Sequence, residues 1–117
     1  MSLARREDMP DGSVRIHFAA PIMHFAEPKG CLVLRQPTVF DTIEIGDPLT
    51  WVFDSDGNGT KVVERDKLKL WFARLIDGHD ADVVGRERDV TLGLLIEDAI
   101  LGFFQSARTR LRAASAP

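Results

Sequence analysis

The sequence predicts an α+β fold, in which a small antiparallel N-terminal sheet of about three strands precedes a helical C-terminal half. Alternating apolar and polar residues, typical of half-buried strands, come early in the chain. Helical spacings of three and four dominate after residue 64 and extend furthest in the segment 89–112. Because strands and helices are segregated along the chain, we expect the helices to cover one face of the sheet.

The composition indicates one globular domain. The chain has 117 residues, of which 44% are hydrophobic and 28% are charged, so a single domain with a substantial core is expected. The formal net charge of −3 disfavours nucleic acid as a partner. Cys31 is the only cysteine, which excludes an internal disulfide and suits a reducing compartment. We find no signal-peptide pattern and no apolar run long enough to cross a membrane, so we expect a cytoplasmic protein without a membrane partner.

The two ends of the chain differ from its middle. Residues 1–13 are charged and contain Pro10 and Gly12, which predicts a mobile arm. Residues 113–117 are small and end in proline, so a frayed tail is expected. The single α+β domain is therefore assigned to residues 14–112.

The predicted sheet rests on three short segments. Residues 14–18 alternate strictly between apolar and polar side chains, and Pro21 interrupts or ends this strand. The stretch 22–35 predicts a hairpin, because two strand-like runs flank residues 27–30, where Pro and Gly occupy favoured β-turn positions.

A short helix is predicted at residues 39–45. Thr38 suits the N-cap position, and Asp41 stands three residues further on, where a capping box places its acid. Gly46 then ends the helix. For residues 49–63 two interpretations are open: a second hairpin, or an extension of the helix followed by a mobile loop.

Two longer helices are predicted in the second half. Residues 64–77 carry apolar side chains at one helical face, and Gly78 closes the segment. A single helical turn is expected near residues 82–84. The segment 89–112 forms the longest helix, with Asp89 as a candidate N-cap.

The last helix is apolar on nearly every side. One stripe is expected inside the domain, namely Leu92, Leu95, Ile96, Ala99 and Phe103. Leu94, Leu101 and Phe104 lie beyond this stripe. Two interpretations are open: either the helix is central and covered by its own chain, or these three residues bind a partner or further copies of the chain in a homo-oligomer.

The segment 54–60 contains a weak candidate metal site. Asp54, Asp56 and Asn58 match the first ligand positions of a calcium-binding EF-hand loop. The match fails at Arg65, where the bidentate glutamate is required. A turn rich in Gly and Asn is the preferred interpretation, and a calcium-responsive interaction module is the alternative.

The sequence contains no convincing catalytic group, and a protein without enzymatic activity or cofactor is expected. His79 and Asp80 suggest a metal-dependent hydrolase only weakly, because no second His–carboxylate cluster accompanies them. Cys31 follows a turn with no neighbouring base in sequence, so a small half-buried side chain is expected there.

Three segments together resemble the tail assembly chaperones of tailed phages and prophages, in particular the small E/41/14-type tail assembly proteins. The first runs from Ala-Pro-Ile at 20–22 to Leu-Val-Leu-Arg-Gln-Pro-Thr at 32–38, followed by Asp41. The second is the helix ending in Leu-Ile-Asp-Gly at 75–78. The third spans 92–104, where Leu precedes Glu-Asp and a terminal Phe-Phe.

The resemblance covers roughly residues 14–105 and implies a function. Such proteins bind the tape measure protein or tail tube subunits in the host cytoplasm while the tail is built, and they leave before the virion matures. The resemblance therefore implies a non-enzymatic chaperone of virion morphogenesis in bacterial cytoplasm.

Overall fold

The fold is α+β, as predicted. A computed structural model describes residues 3–115 and contains a four-stranded antiparallel sheet in the order β1-β2-β3-β6, a separate two-stranded sheet, and four helices within those residues. The elements in chain order are β1 (Arg5–Asp8), β2 (Val14–His24), β3 (Glu27–Leu34), α1 (Val39–Ile45), β4 (Leu49–Phe53), β5 (Gly59–Val63), α2 (Arg65–Leu75), β6 (Ile76–Asp77), α3 (Ala81–Gly85) and α4 (Val90–Ser115).

The N-terminal segment is a strand, so the prediction of a mobile arm is wrong for residues 4–13. β1 pairs antiparallel with β2, from Arg5 opposite His17 to Asp8 opposite Val14. Ala4 is buried in the core. The charged residues of this segment do not alternate with apolar ones, so the sequence does not indicate a strand. The strand forms because the backbone of β1 pairs with the edge of β2.

The first hairpin turns earlier than predicted. Residues 27–30 belong to β3, and the turn is formed by Phe25 and Ala26. Pro28 lies in the strand without disrupting it, because β6 pairs with β3 only at the far end and leaves this stretch at an edge. β2 continues past its own proline through an irregularity in the register between residues 17 and 22.

α1 forms where its capping residues predict it. Thr38 Oγ1 accepts a hydrogen bond from the Asp41 backbone N–H at 3.1 Å, and the Asp41 carboxylate accepts one from the Thr38 N–H at 3.0 Å. Gly46 ends the helix with a φ of 85°, a conformation that favours glycine. Its carbonyl accepts a hydrogen bond from the indole Nε1 of buried Trp71 at 2.8 Å, which ties the end of α1 to α2.

α2 begins one residue later and ends two residues earlier than predicted. Ile76 and Asp77 leave the helix and pair with Leu34 and Val33 as the short edge strand β6. The helical turn expected near residues 82–84 is confirmed as α3.

The hydrophobic core lies between the sheet and the last helix. Ile16, Leu32 and Leu34 point from the sheet towards Ala99 and Ile100 of α4, and all five are buried. A large apolar side chain that is fully buried contributes about 1.5–3 kcal/mol to stability. Of the predicted stripe, Leu92, Ile96 and Ala99 are buried, and Leu95 and Phe103 are half-buried against the core.

The ends of the domain extend further than predicted. α4 continues through Ser115, so residues 113–115 are helical. Residues 116–117 of the predicted frayed tail lie outside the described residues.

The open question about residues 49–63 is resolved in favour of a hairpin. β4 and β5 pair antiparallel from Leu49 opposite Val63 to Phe53 opposite Gly59. Every residue from 51 to 62 is exposed, so the hairpin touches the rest of the domain mainly at its base.

Candidate partner-binding surface

An apolar groove lies between α2, α3 and α4. Its volume is about 650 Å³. Residues of α2, α3 and α4 and of the segment that leads into α4 form its walls. The apolar side chains that line it are Leu68, Phe72, Val84, Val90, Leu92, Leu94, Ile96 and Ile100.

The rim of the groove is charged with both signs. Arg65 at the start of α2 donates from Nη1 to Oε1 of Glu97 at 2.6 Å, which links α2 to α4 across the groove. Lys69, Arg88 and Asp89 also line the groove. An apolar floor with a mixed charged rim suits an amphipathic segment that buries one face and leaves polar residues at the edges.

The three residues predicted to bind a partner have different environments. Leu94 is 56% exposed and lies at the groove, as the prediction requires. Leu101, two turns further along α4, is half-buried. Phe104 is only 9% exposed and packs edge-to-face on Trp71 with ring centroids 5.0 Å apart. The prediction that Phe104 lies on a free flank is therefore wrong, because α2 covers it.

Further exposed apolar side chains lie on elements that the sequence did not single out. The outer face of α1 carries them, as does the β4–β5 hairpin. For α1 the sequence contained an indication of this exposure, because the apolar residues of this seven-residue helix cannot all face one core. The exposed residues are Val39, Phe40 and Ile43 on α1 and Trp51, Val52, Phe53 and Val62 on the hairpin.

The weak metal candidate is a hairpin turn. Asp54 Oδ1 accepts hydrogen bonds from the backbone N–H groups of Asp56 and Asn58, both at 2.9 Å. These bonds hold the pKa of the Asp54 carboxyl below its usual range. Gly57 has a φ of 82°, as the turn requires. Within residues 3–115, no three His, Cys, Asp or Glu side chains lie close enough together to hold a metal ion.

His79 is a structural residue of the core edge. The backbone N–H of Asp80 donates to His79 Nδ1 at 2.8 Å, so the ring proton sits on Nε2, which lies 3.1 Å from the Ile22 carbonyl. Asp80 caps α3 by accepting from the N–H of Asp82 at 2.8 Å. Both ring nitrogens are therefore used, and the arrangement does not favour a hydrolytic site.

The sheet brings a histidine next to Cys31, which the sequence did not indicate. Cys31 is half-buried in β3 and lies opposite His17 of β2. His17 Nε2 is 2.8 Å from Glu7 Oε1 on β1. The three residues lie on the outer face of the sheet rather than in one of the larger grooves, so they do not form an enclosed site.

α4 is long and apolar enough, by length and composition, to cross a membrane, so the expectation that the chain lacks such a stretch is wrong. The core helix of a globular protein passes the same test, which makes this weak evidence for a membrane span. α4 also packs one face against the sheet through Ala99 and Ile100.

Comparisons with protein-family models, with curated proteins and with solved structures find no match for this chain.

Proposed function

We propose that the chain is a non-enzymatic tail assembly chaperone of a phage or prophage, which holds an apolar, amphipathic segment of a tail protein in the groove between α2, α3 and α4. The client is the tape measure protein or the tail tube subunit, and binding takes place in the bacterial cytoplasm. The resemblance of residues 14–105 supports the class of protein, and the groove supports the mode of binding.

The groove is the observation that carries this proposal. It offers an apolar floor that is open to solvent, and Leu94 at its edge is more than half exposed. Removing apolar surface from water is favourable by roughly 25 cal/mol per Å², and the affinity is what remains after the entropic costs of association. A client segment that would otherwise aggregate is kept soluble by the same burial, which is what a chaperone of tail assembly requires.

Leu94→Asp tests the groove. The charge would be buried without a partner when a client segment occupies the groove, so we expect affinity to fall by about tenfold or more. Fluorescence anisotropy or calorimetry with purified tape measure fragments and tail tube protein from the same genome measures the affinity. Because Leu94 is exposed in the free chain, circular dichroism of the variant should be unchanged.

Leu111→Asp is the matched control. Leu111 is 68% exposed on the same helix but lies outside the groove, so its substitution should leave client affinity unchanged. Leu101 does not line the groove and is half-buried, so Leu101→Asp should lower the stability of the chain and leave the client affinity of the folded fraction unchanged. Failure of the wild-type chain to bind either tail protein would overturn the proposal.

A further inference from the structure

We infer that the β4–β5 hairpin is a self-association surface, covered in solution by the same hairpin of a second copy of the chain about a two-fold axis. This surface is distinct from the groove between α2, α3 and α4, and the inference does not rest on the proposed function.

Both faces of the hairpin carry exposed apolar side chains. One face carries Trp51 and Phe53, whose rings stack with centroids 6.3 Å apart, and Lys61 lies over the Trp51 ring at 5.4 Å. The opposite face carries Val52 and Val62. A hairpin that packs on its own domain buries one of its two faces. Because apolar side chains are exposed on both faces of the β4–β5 hairpin, another molecule is expected to cover it.

The edges of the hairpin are also unpaired within residues 3–115, since β4 and β5 pair only with each other. The Asp54 N–H donates to the Asn58 carbonyl at 3.0 Å across the turn. Hydrogen-bonded pairs alternate along an antiparallel hairpin, so the backbone groups of Phe53, Trp51 and Lys61 point outward. Such edges readily pair with strands of another chain.

The accessible surface of the chain is larger than the average for a folded monomer of its mass. Its accessible surface is 8042 Å². A folded monomer of this mass exposes roughly 6,300 Å², so the excess is about 1,700 Å². A specific interface of standard size buries about 800 Å² per partner, and obligate homodimers bury more. The excess over the whole chain is thus as large as the surface that one partner buries in such an interface, and the exposed hairpin is part of it.

A second copy explains this surface better than a transient client does. A two-stranded hairpin is marginally stable in water unless it packs against something. A client that is bound and released would leave the hairpin uncovered between cycles, whereas a second copy covers it permanently. Interfaces between identical chains are also the most apolar class, which matches Trp51, Val52, Phe53 and Val62.

The test is the mass of the full chain in solution, measured by sedimentation equilibrium over a wide concentration range. We expect the wild type at twice its chain mass of 13.0 kDa. The double variant Trp51→Glu, Val62→Glu places charges on both faces of the hairpin and should sediment as a monomer. Circular dichroism should show that the variant retains its helices, because both positions are exposed in the single chain.

Phe40→Glu, Ile43→Glu is the matched control, since these α1 residues are 76% and 74% exposed and lie outside the hairpin. The control should remain a dimer. A monomeric wild type, a double hairpin variant that still dimerises, or a control that loses the dimer would each overturn the inference.

Cysteine cross-linking gives a readout that does not depend on a destabilising charge. In a Cys31→Ser background, Val52→Cys and Lys61→Cys probe the two faces of the hairpin, and Ile43→Cys probes α1. We expect oxidation to link two chains through at least one hairpin position and not through position 43. Absence of any hairpin cross-link contradicts the inference.

The two proposals fail independently. A chain that dimerises through the hairpin but binds no tail protein retains this inference and loses the proposed function. A monomeric chain that binds a tail protein through Leu94 does the reverse.

Discussion

At the scale of single residues, the carboxylate of Asp41 joins three elements. It is buried and accepts hydrogen bonds from Arg35 Nη1 at 2.7 Å and from Arg74 Nη1 at 2.9 Å, besides the Thr38 N–H. The end of β3, the start of α1 and the last turn of α2 are thereby fastened together. The Arg35 hydrogen bond is the largest cause that holds the pKa of Asp41 far below its usual range.

The lowered pKa of Asp41 predicts a loss of stability in acid. The pKa is lower in the folded than in the unfolded chain, where it is about 3.9, so the unfolded chain binds more protons as pH falls. The contribution of Asp41 to the free energy of unfolding is complete above about pH 5 and is lost as pH falls through the unfolded pKa towards the folded one. Urea denaturation at a series of pH values measures this dependence.

Asp41→Asn should remove that part of the acid dependence and lower the free energy of unfolding at neutral pH by about 2 kcal/mol. The loss is moderate because Arg35 and Arg74 remain more than a third exposed and can be solvated. Glu44→Gln is the control, since Glu44 also pairs with Arg74 but is largely exposed. An Asp41→Asn variant with the acid dependence of the wild type would contradict the role assigned to this carboxylate.

The same residues explain the motif on which the resemblance depends. Leu32 and Leu34 are core positions of β3, Arg35 bonds Asp41, and Thr38 caps α1. Each position has a structural role in this chain. The motif therefore reports on the fold of this chain and not on a client, which is why the proposed client has to be tested at the groove.

At the scale of elements, the turn between β2 and β3 is strained. Phe25 has a φ of 57° and is 92% exposed. Within residues 3–115, the one aromatic ring that packs against the Phe25 ring is that of its neighbour His24. A bulky side chain with positive φ costs about 1–2 kcal/mol relative to a relaxed backbone. Little burial offsets this cost.

Phe25→Gly should therefore raise the free energy of unfolding by about 0.5–1 kcal/mol, the relief of strain being partly offset by the greater freedom of glycine in the unfolded chain. Thermal and urea denaturation measure the change. Phe25→Ala separates backbone from side chain, because alanine keeps the strain and should give no gain. Equal stability of the two variants would contradict the strain.

The sequence predicted the elements whose determinants are local. α1 was placed correctly because Thr38, Asp41 and Gly46 specify its two ends by themselves. The turn of the first hairpin was misplaced because Pro28 and Gly30 are typical turn residues, whereas Phe25 is not. Strand register, which is set by pairing with β2, overrides that local signal.

Non-local packing also explains the errors at the last helix. Helical spacing identified the stripe with Leu92, Ile96 and Ala99, and it correctly found more apolar surface than one face needs. It could not show that α2 would place Trp71 over Phe104 while leaving Leu94 open. Burial on the flanks of a helix depends on where its neighbours dock, and no residue on the helix itself encodes that.

At the scale of the whole molecule, the shape is extended for a single domain. The radius of gyration is 16.1 Å, with extents of 52 × 33 × 31 Å. A compact domain of this length has a radius of gyration of about 13 Å. The projecting hairpin and the exposed end of α4 account for the difference in shape. The hairpin, proposed for self-association, and the groove, proposed for a client, are separate parts of this surface.

An obligate dimer predicts that thermal stability depends on protein concentration. Dissociation accompanies unfolding, so mass action favours the folded dimer as concentration rises. For a chain of this length we expect Tm to increase by about 3 °C for each tenfold increase in concentration. Differential scanning calorimetry over a range of concentrations measures the shift.

The Trp51→Glu, Val62→Glu variant should lose this dependence, because a monomer unfolds at a temperature that is independent of its concentration. Its Tm should also lie below that of the wild type at every concentration, since the hairpin then lacks the cover that stabilises it. If the variant retained the concentration dependence of the wild type, another surface would hold the copies together, and the exposed apolar residues of α1 would be the next to test. Because Leu94 lies outside the hairpin, the Leu94→Asp variant should keep the full concentration dependence of Tm while losing client affinity. This variant therefore separates the inferred self-association of the chain from the proposed binding of tail proteins.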